Sequence, residues 1–71
     1  MKYRVDIPIQ HKDTGAKGWQ CVVVEATVSR EARCLALLEA GDLNAVRHRR
    51  DAVLVLDDPT RPINVLDVTL G

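Results

Sequence analysis

The sequence is poor in aromatic residues. Its 71 residues include one tryptophan, one tyrosine and no phenylalanine. Aromatic side chains supply much of the buried area in many cores, so this core must be built from Val, Leu, Ile and Ala. Because β-branched residues fit pleated, half-buried surfaces, the composition favours a sheet over a helical bundle. A chain of this length is expected to form a single domain, residues 1–71, with a small core.

An excess of either charge is also absent. The formal net charge is zero, which removes the bulk electrostatic attraction typical of nucleic-acid-binding proteins. The distribution is uneven, since residues 1–50 carry nine basic and six acidic residues (+3) and residues 51–71 carry one and four (−3). The chain is therefore expected to have a more basic and a more acidic end.

Long apolar runs are missing as well. No run approaches the roughly 20 residues of a membrane span, and the first residues lead into an alternating segment that does not resemble a signal peptide. We therefore expect a cytoplasmic protein without membrane contact. Cys21 and Cys34 have neither a C-x-x-C nor a zinc-finger spacing, so they are interpreted as buried thiols.

Alternating apolar residues predict the first half of the sheet. In residues 3–10 the inward positions of the first strand are Tyr3, Val5, Ile7 and Ile9. Pro8 has no N–H, which places that strand at a sheet edge or at an unpaired position. Residues 11–18 predict a hairpin loop longer than two residues. Residues 19–28 predict a second strand that is apolar on both faces, as in a strand buried on two sides.

A helix is predicted over residues 30–40. Ser29 is a suitable N-cap and Gly41 a natural terminator, and the expected core-facing residues are Ala32, Leu35, Ala36 and Leu38. Residues 42–50 have two interpretations, an irregular crossover or one to two helical turns capped by Asp42, of which we favour the second.

The remaining chain predicts two more strands. Residues 52–56 predict a short third strand that is apolar on both faces, as expected of a central strand. Residues 63–70 predict the fourth strand, after a turn at residues 57–62. The predicted fold is a single α+β domain of order ββαββ. Its four-stranded sheet is mainly antiparallel, with one main helix on one face.

One helix cannot cover both faces of this sheet. Because the second and third strands are apolar on both faces, the other face needs a cover. The candidates are residues 42–50, a second copy in a homodimer, or a partner protein. Four aspartates in the last third of the chain form an acidic group that suits a basic groove on a partner. The predicted partner-binding residues are Trp19, Asp57, Asp58 and Asp67, although such charges also simply mark where strands meet water.

The densest basic cluster supports an alternative function. Arg47, Arg49 and Arg50 suit phosphate contacts in a small nucleic-acid-binding domain. Against this alternative, no aromatic residues are interleaved for base stacking, and acidic residues follow closely. Salt dependence separates the two functions, because phosphate contacts weaken steeply with salt.

Catalytic and metal-binding signatures are also lacking. The cysteines and the two histidines, His11 and His48, have no recognised ligand spacing. A nucleophile paired with a histidine needs a pocket and an orienting group that so small a core hardly supplies. We therefore predict a non-enzymatic protein with no metal and no cofactor.

The layout of the chain resembles a known group of small proteins. GWQCVVVEATV is followed by SREARCLALLEAG and then by AVLVLDD, and this order is similar to that of compact phage inhibitors of host defence, anti-CRISPR proteins among them. The resemblance covers most of the chain in size and order of elements and carries no functional residue with it. It implies an inhibitor that occupies a surface of a larger host complex.

Overall fold

Two long strands form the centre of the fold, β1 at Lys2–His11 and β2 at Lys17–Glu25. The later elements are the helices α1 at Ser29–Ala40 and α2 at Leu43–Arg49, and the strands β3 at Ala52–Leu54 and β4 at Asn64–Asp67. This computed structural model describes residues 1–69. The fold is α+β with a four-stranded antiparallel sheet, and two helices rather than one separate the strand pairs.

Strand β1 lies in the middle of the sheet. It pairs with β2 over nine positions, from Lys2 opposite Glu25 to Gln10 opposite Lys17. Its other edge is shared, with β4 beside residues 3–6 and β3 beside residues 9–11. The expected central position of the third strand is therefore wrong: β3 is too short to do more than pair with one end of β1.

Pro8 lies at the point of this central strand where the pairing with β3 ends. Its carbonyl oxygen accepts a hydrogen bond from the N–H of Val55 at 2.8 Å, so its nitrogen points to the same side of β1. That nitrogen faces Val55, which follows Leu54 in the register that places Leu54 opposite Ile9. The missing N–H removes the return hydrogen bond of this pair, in keeping with the end of β3 at Leu54, and of the two predicted alternatives the sheet edge is wrong.

Helix α1 packs on the sheet through a row of alanines. Ala32, Ala36 and Ala40 are fully buried, whereas Leu38 is 76% exposed. Of the predicted core-facing leucines, Leu38 therefore lies on the outer side of the helix, and Leu35, 37% exposed, lies at the flank of the buried face. Residues four apart lie on one helix face, and small side chains there let the helix approach the branched valines of β2 closely.

The two helices begin differently. The expected Ser29 cap is absent, and instead the carboxylate of Glu31 accepts a hydrogen bond from the N–H of Thr27 at 3.1 Å. Helix α2 begins after Asp42, whose carboxylate accepts from the N–H of Leu43 at 2.8 Å. The helical interpretation of residues 42–50 is therefore confirmed. This helix ends at Arg50, which has a φ of +54°.

The core lies between α1 and one face of the sheet. Its strand residues are Tyr3, Val5, Ile7, Val22 and Val24. The prediction that the second strand is buried on two sides is wrong, since its alternate residues Trp19, Cys21 and Val23 are exposed. Cys34 is exposed too, which corrects the expectation of buried thiols. The end of the predicted fourth strand, at Leu70, lies outside the described residues.

Candidate functional site

The sheet face opposite the helices carries a row of exposed side chains along β2. Trp19, Cys21 and Val23 project from it, and we call these three residues the β2 strip. Trp19 is 43% exposed and Val23 is 54% exposed. Side chains alternate along a strand, so these residues point away from α1 while Val22 and Val24 point towards it. The strip is the longest unbroken apolar row on this face of residues 1–69.

A polar row lies beside the β2 strip on β1. Arg4 and Asp6 stand opposite Val23 and Cys21 in the pairing register, and the Nε of Arg4 lies 3.2 Å from an Asp6 carboxylate oxygen. A hydrogen bond between the Cys21 thiol and this carboxylate raises the pKa of Cys21. The thiol is therefore held protonated, the opposite of what a nucleophilic cysteine requires.

Arg61 fastens the β3–β4 connection to the β1–β2 hairpin. Its guanidinium donates to the carbonyl oxygens of Ile9 at 3.3 Å and Gly18 at 3.1 Å. It also lies over the ring of Trp19, 5.7 Å from the ring centre, within cation–π range. Arg61 was not among the residues predicted from the sequence. The sequence does single it out in one way: Arg61 is the only basic residue among residues 51–71, and it lies three residues after Asp58.

Asp58 is engaged inside this connection. Its carboxylate accepts from the Thr60 hydroxyl at 2.6 Å and the Thr60 N–H at 2.9 Å, and it pairs with Arg61 at 3.3 Å. These bonds, those from Thr60 foremost, lower the pKa of Asp58 to about 2. Asp58 therefore stabilises the turn at residues 58–61. Because its oxygens already accept hydrogen bonds within the chain, few acceptor positions are left for a partner.

Asp67 is engaged in a similar way at the other end of the sheet. The hydroxyl and N–H of Thr69 donate to it at 2.6 and 2.9 Å and lower its pKa. Asp67 pairs with Tyr3, whereas Asp58 is tied through Arg61 to Ile9, about 20 Å away along β1 at the rise of a strand. The structure therefore does not bring the predicted acidic residues together. Asp57, next to Asp58, is exposed.

Arg49, one of the three arginines predicted to contact phosphates, makes its hydrogen bonds within the chain. Its guanidinium donates to the Gln20 side-chain oxygen at 2.8 Å and to the Ala40 carbonyl at 2.7 Å. The amide of Gln20 donates in turn to the carbonyl of Ala45 at 3.1 Å. These bonds tie α2 to β2 and satisfy the buried Gln20 side chain. Arg47 and Arg50 remain exposed.

The potential metal ligands that lie close together are near the hairpin loop. His11, Asp13 and Asp51 place one ligand atom each within 4.8 Å of one another. However, Nδ1 of His11 accepts from the N–H groups of Asp13 and Thr14 at 3.1 and 3.2 Å. A neutral ring with Nδ1 as acceptor carries its proton on Nε2, and so offers no free lone pair to a cation. The cluster stabilises the loop.

The comparisons with known proteins add no family to this description. No family model, curated protein or solved structure matches the chain. Neither helix within residues 1–69 is long and apolar enough to cross a membrane.

Proposed function

We propose that this chain is a non-enzymatic protein-binding module that contacts its partner through the β2 strip. The observation that carries the proposal is the exposed Trp19, held in place by Arg61 on the sheet face opposite the helices. Tryptophan and arginine are the residues most often found at energetic centres of protein interfaces. A ring that is already positioned loses little conformational freedom on binding, which favours affinity.

The charges around the β2 strip suit an apolar interface with a polar rim. Lys17 and Glu25 lie at the two ends of β2, and the ion pair of Arg4 and Asp6 runs alongside. These four charges cancel, so binding gains little from long-range attraction and depends on the burial of apolar area. The exposed Asp57 is a rim residue in this proposal. Its neighbour Asp58 and the distant Asp67 do not contact the partner in this proposal, because their carboxylates are bonded to Thr60 and Thr69 within the chain.

The proposed role is that of an inhibitor that occupies a surface of a larger complex. The resemblance in size to phage inhibitors of host defence, drawn from the sequence, motivates this role. An inhibitor of this kind needs a rigid surface and no catalytic group. The hydrogen-bonded Cys21 thiol and the internally bonded Asp58 and Asp67 are consistent with a surface that binds without chemistry.

The test is capture of proteins from a lysate of the source cells by the immobilised chain. Val23→Lys puts a charge into the β2 strip at an exposed site and should abolish specific capture, and Trp19→Ala should cost about 2 kcal/mol or more of binding free energy. The matched control is Leu66→Lys. Leu66 is also an exposed apolar residue on the same sheet face, but it lies on β4, so capture should persist. Equal capture by the Val23 and Leu66 variants contradicts the proposal.

The nucleic-acid alternative rests on the exposed Arg47 and Arg50. Captured material that nuclease removes, and that an Arg47→Ser/Arg50→Ser variant no longer holds, would favour the alternative. Its affinity should fall steeply between 50 and 200 mM salt. For the β2 strip we expect nuclease-resistant capture that changes little over the same salt range.

A further inference from the structure

The outer edge of β2 is a second feature of this strand, distinct from its side chains. Val22 and Val24 pair with β1, and the N–H of Ala26 donates to the carbonyl of Met1 at 2.9 Å. Even-numbered residues of β2 therefore direct their backbone groups to β1. By the alternation of a strand, Trp19, Cys21 and Val23 direct their N–H and C=O groups outwards. Within residues 1–69 no hydrogen bond outside the strand pairing reaches these outward groups.

This edge lacks the usual protection against pairing with another strand. Proteins commonly block exposed edges with proline, a bulge, a central charge or a very short strand. Strand β2 has nine residues and pairs with β1 without a bulge. Its charges, Lys17 and Glu25, stand only at its two ends. The opposite edge of the sheet, in contrast, is divided between the short strands β3 and β4.

The helix layer leaves space beside the middle of the edge. A groove of about 300 Å³ is bounded on one side by residues 20–23 of β2. On the other side it is bounded by the corner between α1 and α2, at Glu39, Asp42 and His48. The helices of the chain therefore leave the middle of this edge uncovered.

We propose that β2 pairs through this edge with β2 of a second copy of the chain. The pairing is antiparallel and centred on Cys21, so that the two four-stranded sheets join into one. Strand addition of this kind is a common mode of recognition, with affinity from backbone hydrogen bonds and specificity from the side chains. Five hydrogen-bonded residue pairs, with two bonds each, give about ten new backbone hydrogen bonds.

The sequence of β2 complements itself in this register. Lys17 stands opposite Glu25 of the second copy, and the same pair forms again on the other side of the twofold axis. Trp19 stands opposite Val23, and Cys21 opposite its own copy. A shift of two residues either way places Lys17 opposite Val23 or Glu25 opposite Trp19, and both ion pairs are lost. Opposite charges and aromatic–β-branched pairs directly across from each other stabilise antiparallel strands.

The pairing goes beyond the proposed function and is independent of it. The outward side chains of the β2 strip stay on the uncovered face when the edges pair. Two strips then become one apolar band of six residues, with a tryptophan near each end. Loss of the pairing would leave the strip of a single copy available, so the lysate capture and the experiments below report on different claims.

The first experiment is a charge exchange followed by sedimentation equilibrium of the full chain. We expect the native chain to dimerise. Lys17→Glu creates two like-charged pairs per dimer and should weaken dimerisation about tenfold or more. The double variant Lys17→Glu/Glu25→Lys restores both pairs with reversed polarity and should recover the native dissociation constant within about threefold. A monomer at millimolar concentration, or a double variant no better than the single one, overturns the proposal.

The second experiment fixes the register by disulfide formation with diamide in a Cys34→Ser background. Directly opposed Cys21 residues have Cα atoms about 5.5 Å apart, which a disulfide spans. The matched control is Cys21→Ser/Val23→Cys in the same background, with an exposed thiol on the same strand. In the proposed register these thiols are offset by four residues, about 14 Å, and cannot join. Cross-linking at position 21 should exceed that at position 23 at least tenfold, and equal yields overturn the register.

Discussion

Strands β1 and β2 pair with each other over nine positions, and both place alternate side chains against α1. They differ at their second edges. The other edge of β1 is taken up by β3 and β4, whereas that of β2 is free in residues 1–69. The side chains on the sheet face opposite the helices also differ near the hairpin end of the two strands. Pro8 of β1 is fully buried, while Trp19 opposite it on β2 is exposed. Both strands contribute to the core, but only β2 has an edge and a row of exposed apolar side chains that are available for binding.

The largest effect is expected when one side chain on each strand is shortened to alanine. Ile7→Ala in β1 removes a fully buried side chain and should lower the free energy of unfolding by about 2–5 kcal/mol. Val23→Ala in β2 removes an exposed one and should change it by less than about 0.5 kcal/mol. Urea unfolding at micromolar concentration measures both. If Ile7→Ala does not fold, Ile7→Val should still cost about 0.5–1.5 kcal/mol. Equal losses at the two positions would contradict the contrast.

A smaller effect is expected at Arg61, which joins the two strands at their hairpin end. Arg61→Ala removes the bonds to the carbonyls of Ile9 and Gly18 and should cost about 1–3 kcal/mol of stability. It also frees the Trp19 ring, so the tryptophan fluorescence anisotropy should fall. Arg61→Lys keeps the charge but not the planar fork, and should recover only part of the loss. Full recovery by lysine would mean that charge alone holds the connection.

The smallest expected effect is the acid sensitivity of the same connection. The pKa of Asp58 is about 2 in the folded chain, below its ordinary value of 3.8. A lowered pKa means that ionised Asp58 stabilises the fold above about pH 4, and that this contribution is lost as the pH falls towards 2. Asp58→Asn retains an acceptor for Thr60 but does not titrate. Its urea midpoint should therefore decline less between pH 4 and pH 2 than that of the native chain, and an identical decline would exclude this role.

The alternation of residues 3–10 made the local structure of β1 predictable. Tyr3, Val5 and Ile7 are buried as expected, and the hairpin loop is longer than two residues. The position of β1 in the sheet was not predictable, because Pro8 normally indicates an edge. A central strand tolerates Pro8 here because β3, which is distant in the sequence, ends at Leu54, just before the position opposite Pro8.

The rotation of α1 and the internal bonds of the arginines were not predictable for a related reason. Both Leu35/Leu38 and Ala32/Ala36 form possible apolar faces, and hydrophobicity favours the leucines. Close packing on the branched valines of β2 selects the alanines instead. Likewise, Arg49 lies in a basic cluster and Arg61 in a turn. Only the tertiary structure brings Arg49 to Gln20 and Arg61 to Trp19.

The most direct test of the free edge of β2 is amide hydrogen exchange followed by NMR at micromolar and millimolar concentrations. The amides of Gln20, Val22 and Val24 face β1 and should be protected at both concentrations. We expect the amides of Trp19, Cys21 and Val23 to exchange rapidly in the dilute sample and to become protected in the concentrated one. Protection of these three amides in the dilute monomer, or rapid exchange at both concentrations, would contradict the pairing of β2 with a second copy.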